Sequence, residues 1–278
     1  MNPPAPWYGG KRLAAPTIWA ALGDVRIYLE PFAGMLGALL GRPAPWRGRE
    51  LVNDLDGHVA NFWRAAQQEG EGLEEMAQAL PWHEVTHHAH AVVLRREEAD
   101  VAARLRADPA WYDRTLAAWW YRQVRWTLGV PLQNGLAIPH IVRPCQGIQS
   151  MAALQARLRD VVVVCGDWQR LVTSCLLGKL PTPIGILLDP PYGGHAGVYG
   201  QGEVAEQVRA WAIAHGEDPR LRIVLCAYEG MGMPAPWRAA EWWEERKGGR
   251  GVATRPKEVL WLSQQCEDPA KRQLGLWG

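Results

Sequence analysis

Three features of the sequence predict an α/β fold built on a mostly parallel, twisted sheet flanked by helices. Short apolar runs recur at residues 25–30, 50–53, 161–165, 185–189, 221–228 and 258–263. Helical material such as VAEQVRAWAIAHG lies between the later runs. A long helical pattern, about 65–150, separates the first two runs from the others. Strands that alternate with helices pair in parallel and are covered on both faces. The predicted division is one sheet-containing domain, 1–64 with 151–278, carrying a helical domain inserted at 65–150.

The elements follow in order. VRIYLE reads as a strand that closes on Glu30, and Gly34 and Gly37 then turn the chain into a helix. ELVN is a second strand, closed by Asn53-Asp54, and His58 to Ala66 is helical. EGLEEMAQAL, HAVVLRREEADVAARLRA and TLAAWWYRQVRWTL have the apolar spacing of amphipathic helices. Loops are expected near Pro81, Pro109 and Pro131 to Pro144. VVVVC runs into Gly166-Asp167-Trp168, and GILLD runs into Pro190-Pro191-Tyr192. LRIVLCAY and EVLWLS complete the strands.

Composition sets further bounds. The chain has 278 residues, 48% of them hydrophobic, enough for one large core with an inserted smaller domain. No apolar run approaches the roughly 20 residues of a membrane span. The opening MNPPAPWYGGKR lacks the apolar centre of a signal peptide, so a cytosolic protein is expected, with a monomer as the default oligomeric state. The five cysteines are odd in number and form no C-x-x-C pair, which argues against a zinc ribbon or a disulfide framework. Net charge is only +1, yet no Asp or Glu occurs from Arg114 to Arg159. Arg114, Arg122, Arg125, Arg143, Arg157 and Arg159 give that stretch a local positive excess. Of the sixteen tryptophans, most are expected to pack the core.

The strand ends carry the chemistry. In an open parallel sheet, ligands bind at the carboxyl ends of the strands. Glycines at positions 34 and 37 let the backbone come close to a ligand, or simply make a strand-to-helix turn. Asp54 is placed to accept hydrogen bonds from ribose hydroxyls; alternatively, Asn53 or Asp56 caps the helix that follows. Asp189 accepts from an amine, and the Pro190 carbonyl is a second acceptor. The two prolines stiffen the loop, and Tyr192 offers a flat ring. Together they suit a planar ring bearing an exocyclic amine. His83-Glu84-Val85-Thr86-His87 matches H-E-x-x-H, but a zinc site needs both histidines on one helical face and a third ligand. No metal is expected.

Asp-Pro-Pro-Tyr after an apolar strand resembles the catalytic motif of S-adenosylmethionine-dependent DNA amino-methyltransferases. With WYGGKR, EPFAG and NDLDGHVANFW, nearly the whole chain resembles the DNA adenine methylase (Dam-like) family, in particular forms carried by phages and mobile elements. The resemblance implies a Rossmann-like class I methyltransferase fold, with 65–150 as the target-recognition insertion. It implies that Trp7, Tyr8, Gly10 and Lys11 sit beside the methionine end of S-adenosylmethionine. Glu30, Phe32, Ala33 and Gly34 would form the cofactor loop, Asp54 would bind the ribose, and Asp167 and Trp168 would border the adenine. Asp189, Pro190, Pro191 and Tyr192 would hold a base flipped out of double-stranded DNA. Arg114, Arg122, Arg125 and Arg143 would contact the DNA. The family's loop often has a second glycine two residues after the first, where this chain has Leu36.

Overall fold

The computed structural model describes residues 1–7, 9–81, 83–126, 150–191, 201–242 and 258–270. In chain order they form α1 (Ala15–Leu22), β1 (Ile27–Glu30), α2 (Gly37–Leu40), β2 (Arg49–Asp54), α3 (Gly57–Ala79), α4 (Glu84–Ala107), α5 (Arg114–Trp126) and α6 (Met151–Leu158). β3 (Val161–Cys165), α7 (Ser174–Leu177), β4 (Ile184–Leu188), α8 (Gln201–His215), β5 (Leu221–Tyr228), β6 (Arg238–Ala240) and β7 (Glu258–Leu262) follow. No helix among the described residues is long and apolar enough to cross a membrane.

The seven strands run in the order β3-β2-β1-β4-β5-β7-β6. β2 with β3, β1 with β4 and β4 with β5 pair in parallel, while β7 is antiparallel to both β5 and β6. The mostly parallel α/β sheet is thus as expected. The antiparallel return through β7 and the short β6 are additions that the apolar runs did not reveal. The order reverses at β1. The chain builds outward to β3 and then returns to begin β4 on the other side of β1. Every residue of β1 and β4 is buried, as strands covered on both faces require.

Two compact units are distinguished. One comprises Met1–Arg12, Ala33–Gly41 and Glu50–Thr173, the other Leu13–Phe32, Arg42–Arg49 and Ser174–Gly278. In the first unit, α3 continues unbroken past residue 65, so the expected domain boundary at 64/65 falls inside a helix. Asp56 caps α3, its Oδ1 accepting from the backbone N–H of His58 at 2.7 Å and of Val59 at 3.4 Å. The helix kinks at Glu69, whose φ of −138° and ψ of 47° leave the helical region. α6 crosses there, and a side chain at Gly70 would meet the Met151 carbonyl at 2.5 Å. The Gln155 side chain accepts from the Gly70 N–H at 3.0 Å. Phe62, Trp63 and Trp120 are fully buried, each stabilising the unit by roughly 2–3 kcal/mol. For Trp120 this meets the core role expected of most tryptophans.

The outer edge of β3 is closed by side chains from α3. Arg64 donates to the carbonyls of Val163 (3.3 Å), Leu105 (3.0 Å), Asp108 (2.9 Å) and Trp111 (3.2 Å). Gln67 Nε2 donates to Val161 (2.8 Å) and Leu158 (2.7 Å). Side chains that take up the strand's free carbonyls blunt an edge open to further pairing. Glu50 and Arg157 form a buried bidentate ion pair at 2.6 and 2.9 Å, and Arg157 also donates to the Leu39 carbonyl at 3.1 Å.

In the second unit, Pro16 opens α1, a position that needs no N–H donor, and Gly23 ends the helix at φ 64°. Ile18, Trp19 and Leu22 supply its buried face, and Trp19 packs on Tyr28 with centroids 4.7 Å apart. The Arg42 guanidinium lies over Trp19 at 4.6 Å and donates to the Val25 carbonyl at 3.1 Å.

Candidate active site

In the second unit, β1 and β4 are neighbours, with Leu29 opposite Ile186. Continuing that register places Phe32 level with Asp189, so the ends EPF and DPP stand side by side. Glu30 is buried, and Tyr28 Oη donates to its Oε2 at 2.9 Å. Phe32 and Asp189 are half-buried, Pro190 is buried and Pro191 is exposed. Leu188 is opposite Leu225, so Asp189 stands beside Cys226 of β5. Two strand ends therefore meet where the strand order reverses, the place open α/β sheets use for ligands. Tyr192 lies outside the described residues.

In the first unit, the residues after β1 form a tight loop. The Ala33 N–H donates to the Asn53 carbonyl at 2.8 Å, which ties the loop to β2. Gly34 has φ 44°, a conformation that favours glycine. Its N–H donates to Asp54 Oδ2 at 2.9 Å, and its carbonyl accepts from Trp63 Nε1 at 2.7 Å. A side chain at Gly34 would meet Trp7 Nε1 at 2.6 Å, and one at Gly37 would meet the Arg12 nitrogen at 2.7 Å. The sequence left two roles for these glycines, room for a ligand or a strand-to-helix turn. What crowds them is the segment 7–12 of the chain itself. Leu36, two residues after Gly34, has φ 52°. It is fully buried; its packing offsets a left-handed cost of roughly 1–2 kcal/mol.

The other expected residues of this unit fall as follows. Trp7 is half-buried, with its ring 5.9 Å from that of Trp120. Gly10 is exposed, and its N–H donates to the Trp7 carbonyl at 3.1 Å. Lys11 is buried, and its Nζ donates to the Gly9 carbonyl at 2.7 Å. Tyr8 lies outside the described residues. Gly34→Ala is expected to destabilise the protein by about 1–3 kcal/mol, through the positive φ and the indole contact. Chemical denaturation of the variant measures this, and an unchanged midpoint would refute the tight fit.

Asp54 ends β2, where its Oδ1 accepts from the Asp56 N–H at 3.0 Å. Burial, with the Asp56 carboxylate second, pushes the Asp54 carboxyl up to about 7, against the backbone N–H groups of Gly34, Asp56 and Leu55. An unfolded Asp54 would ionise near 3.8, well before the folded one. The stability this group contributes is full below pH 3.8 and is lost as pH rises toward 7. The unfolding free energy of the wild type minus that of Asp54→Asn should therefore fall by a few kcal/mol between pH 4 and 7. Denaturant titrations at several pH values measure it, and a flat difference would contradict the raised carboxyl.

Beside Asp54, at the end of β3, the Gly166 N–H donates to the Asp54 carbonyl at 2.9 Å. Asp167 is exposed, and its Oδ1 accepts from the Gln169 N–H at 2.9 Å. Trp168 is buried, which makes it a support for this end more than a surface bordering a ligand. Leu55 is 68% exposed between two acids, an exposed apolar side chain the sequence reading missed. A lone apolar residue inside Asn-Asp-Leu-Asp was the available signal.

Of the expected DNA contacts, Arg122 needs correction. Arg122 is buried, and its Nη2 donates to the Leu80 carbonyl at 2.8 Å. Burial, and then the like charge of Arg125, bring its guanidinium down to about 10. It is a packing residue of α5. Arg157, counted in the positive excess, is held by Glu50. Arg114 pairs with Glu69 at 2.6 Å, while its side chain stays 44% exposed. Arg125 lies over the Tyr121 ring at 5.6 Å. Arg143 lies outside the described residues. His83 precedes α4 in extended backbone, with φ −111° and ψ 135°, so His83 and His87 do not share a helical face.

No protein-family model matches the chain, and a search of curated proteins finds no match.

Proposed function

We propose that the chain is an S-adenosylmethionine-dependent methyltransferase acting on the exocyclic amine of adenine in double-stranded DNA. The observation that carries this reading is Asp189-Pro190-Pro191 closing β4 beside β1 at the reversal of strand order. Ligand chemistry belongs there, and this loop presents acceptors and no proline N–H. The DNA substrate draws on the motif resemblance, since Arg122 and Arg157 are committed to the fold.

The first unit's residues fit the cofactor. Asp54 and the exposed Asp167 are carboxylates at neighbouring strand ends, with the exposed apolar Leu55 beside them. Such a set suits ribose hydroxyls and a flat purine face. Trp7 and the loop at Gly34 would hold the methionine end. When bound, the cofactor supplies an electrophilic methyl group on a sulfonium.

The chain's own part is to make the amine react. An adenine amine is a poor nucleophile because its lone pair is delocalised into the ring. Hydrogen bonds to Asp189 and the Pro190 carbonyl favour a tetrahedral nitrogen and localise that pair. Positioning of this kind contributes several kcal/mol, up to roughly 7–11 in ideal cases.

The test is to incubate the purified protein with methyl-labelled cofactor and unmethylated genomic DNA, then digest and analyse the nucleosides. Label on deoxyadenosine is the expected result. Label on deoxycytidine, or on RNA alone in a parallel arm, would replace the substrate. Label on no nucleic acid would overturn the reading.

A further inference from the structure

Asp189 has company that the motif does not announce. Cys226 Sγ of β5, a carboxylate oxygen of Glu258 at the start of β7 and one of Asp189 all lie within 4.8 Å of one another. The strand pairing explains why. Asp189 continues the β4–β5 register opposite Cys226, and Glu258 is opposite Tyr228, two residues further along β5. Residues two apart on a strand share a face, so the three side chains converge on one side of the sheet. Cys226 is fully buried, and Asp189 and Glu258 are half-buried.

We propose that Glu258 is a positioning residue for the transfer, receiving through Asp189 the proton that the substrate amine loses. This rests on the proposed function. The balance is as follows. The amine nitrogen forms a bond to the methyl carbon as the carbon–sulfur pair stays on sulfur. The nitrogen then carries a positive charge and one proton too many. Its N–H pair returns to nitrogen as the proton passes to the Asp189 carboxylate. From there the proton has a second carboxylate oxygen within 4.8 Å, a span one bridging water closes. Asp189 is thereby restored to its acceptor form for the next base, and the half-buried Glu258 then releases the proton to solvent. The negative charge of Glu258 also favours the proton's departure from the nitrogen.

The experiment uses the full chain, unmethylated genomic DNA and labelled cofactor. Glu258→Gln should lower kcat about tenfold or more. Its KM values and S-adenosylhomocysteine affinity should stay within about twofold, and its melting temperature should be unchanged. Glu258→Asp should recover part of kcat. Added formate should raise kcat of Glu258→Ala and leave the wild type unaffected, a rescue that a purely structural role would not give. An active wild type with Glu258→Gln at wild-type kcat, or Glu258→Ala indifferent to formate, would overturn the proton role alone. A wild type inactivated by EDTA would make the three residues cation ligands and also overturn it. A wild type that transfers no methyl to any nucleic acid would remove the proposed function and this inference with it.

Discussion

Asp189→Ala should abolish most methyl transfer, lowering kcat by at least about a hundredfold. On the proposed function, the variant removes one of two acceptors for the amine and leaves the Pro190 carbonyl. The residues assigned to the cofactor belong to other strand ends and loops, so S-adenosylhomocysteine affinity should change little. Asp189→Asn is the informative companion. Its side-chain oxygen still accepts a hydrogen bond but carries no charge and takes up no proton. It should fall between the wild type and the alanine variant. Transfer measured with labelled cofactor, alongside calorimetric binding of the product, separates the two effects. If Asp189→Ala kept wild-type kcat, the loop would be a structural turn and the assigned chemistry would be lost.

Arg64→Met should cost about 3–5 kcal/mol of stability. Methionine keeps much of the apolar stem but no donor. The carbonyls of Val163, Leu105, Asp108 and Trp111 would all lose the same partner. Burial already lowers the proton affinity of this guanidinium, a sign that the fold accepts a desolvated cation in order to bind these groups. Arg64→Lys keeps the charge but not the planar fork, so it should recover only part of the loss. Urea denaturation measures both variants. A loss below about 1 kcal/mol for Arg64→Met would mean that water replaces the guanidinium without penalty.

Much of the fold could be read from the sequence because buried parallel strands are written as unbroken β-branched and leucine runs. VVVVC, GILL and LRIVLCAY stand in the structure nearly as the runs mark them. The acid, proline and ring after β4 could be read for the same reason: an apolar strand that ends so abruptly is unusual. β6 escaped because three residues, Arg238–Ala240, carry no alternation and draw their pairing from β7. Arg122 was misjudged because a census of charge counts cations and says nothing of where their stems lie. An arginine can bury its chain and satisfy its head on one carbonyl or one carboxylate. The approach of Glu258 to Asp189 was equally hidden. It depends on an antiparallel register between distant strands, which no local pattern encodes.

The indole of Trp7 resting on Gly34 has a consequence for how such chains diverge. A protein that keeps the indole cannot accept a side chain at position 34 without a clash. One that gains a side chain there must first surrender the ring. Across homologous sequences the two positions should therefore change together or not at all, although one lies in the opening segment and the other after the first strand.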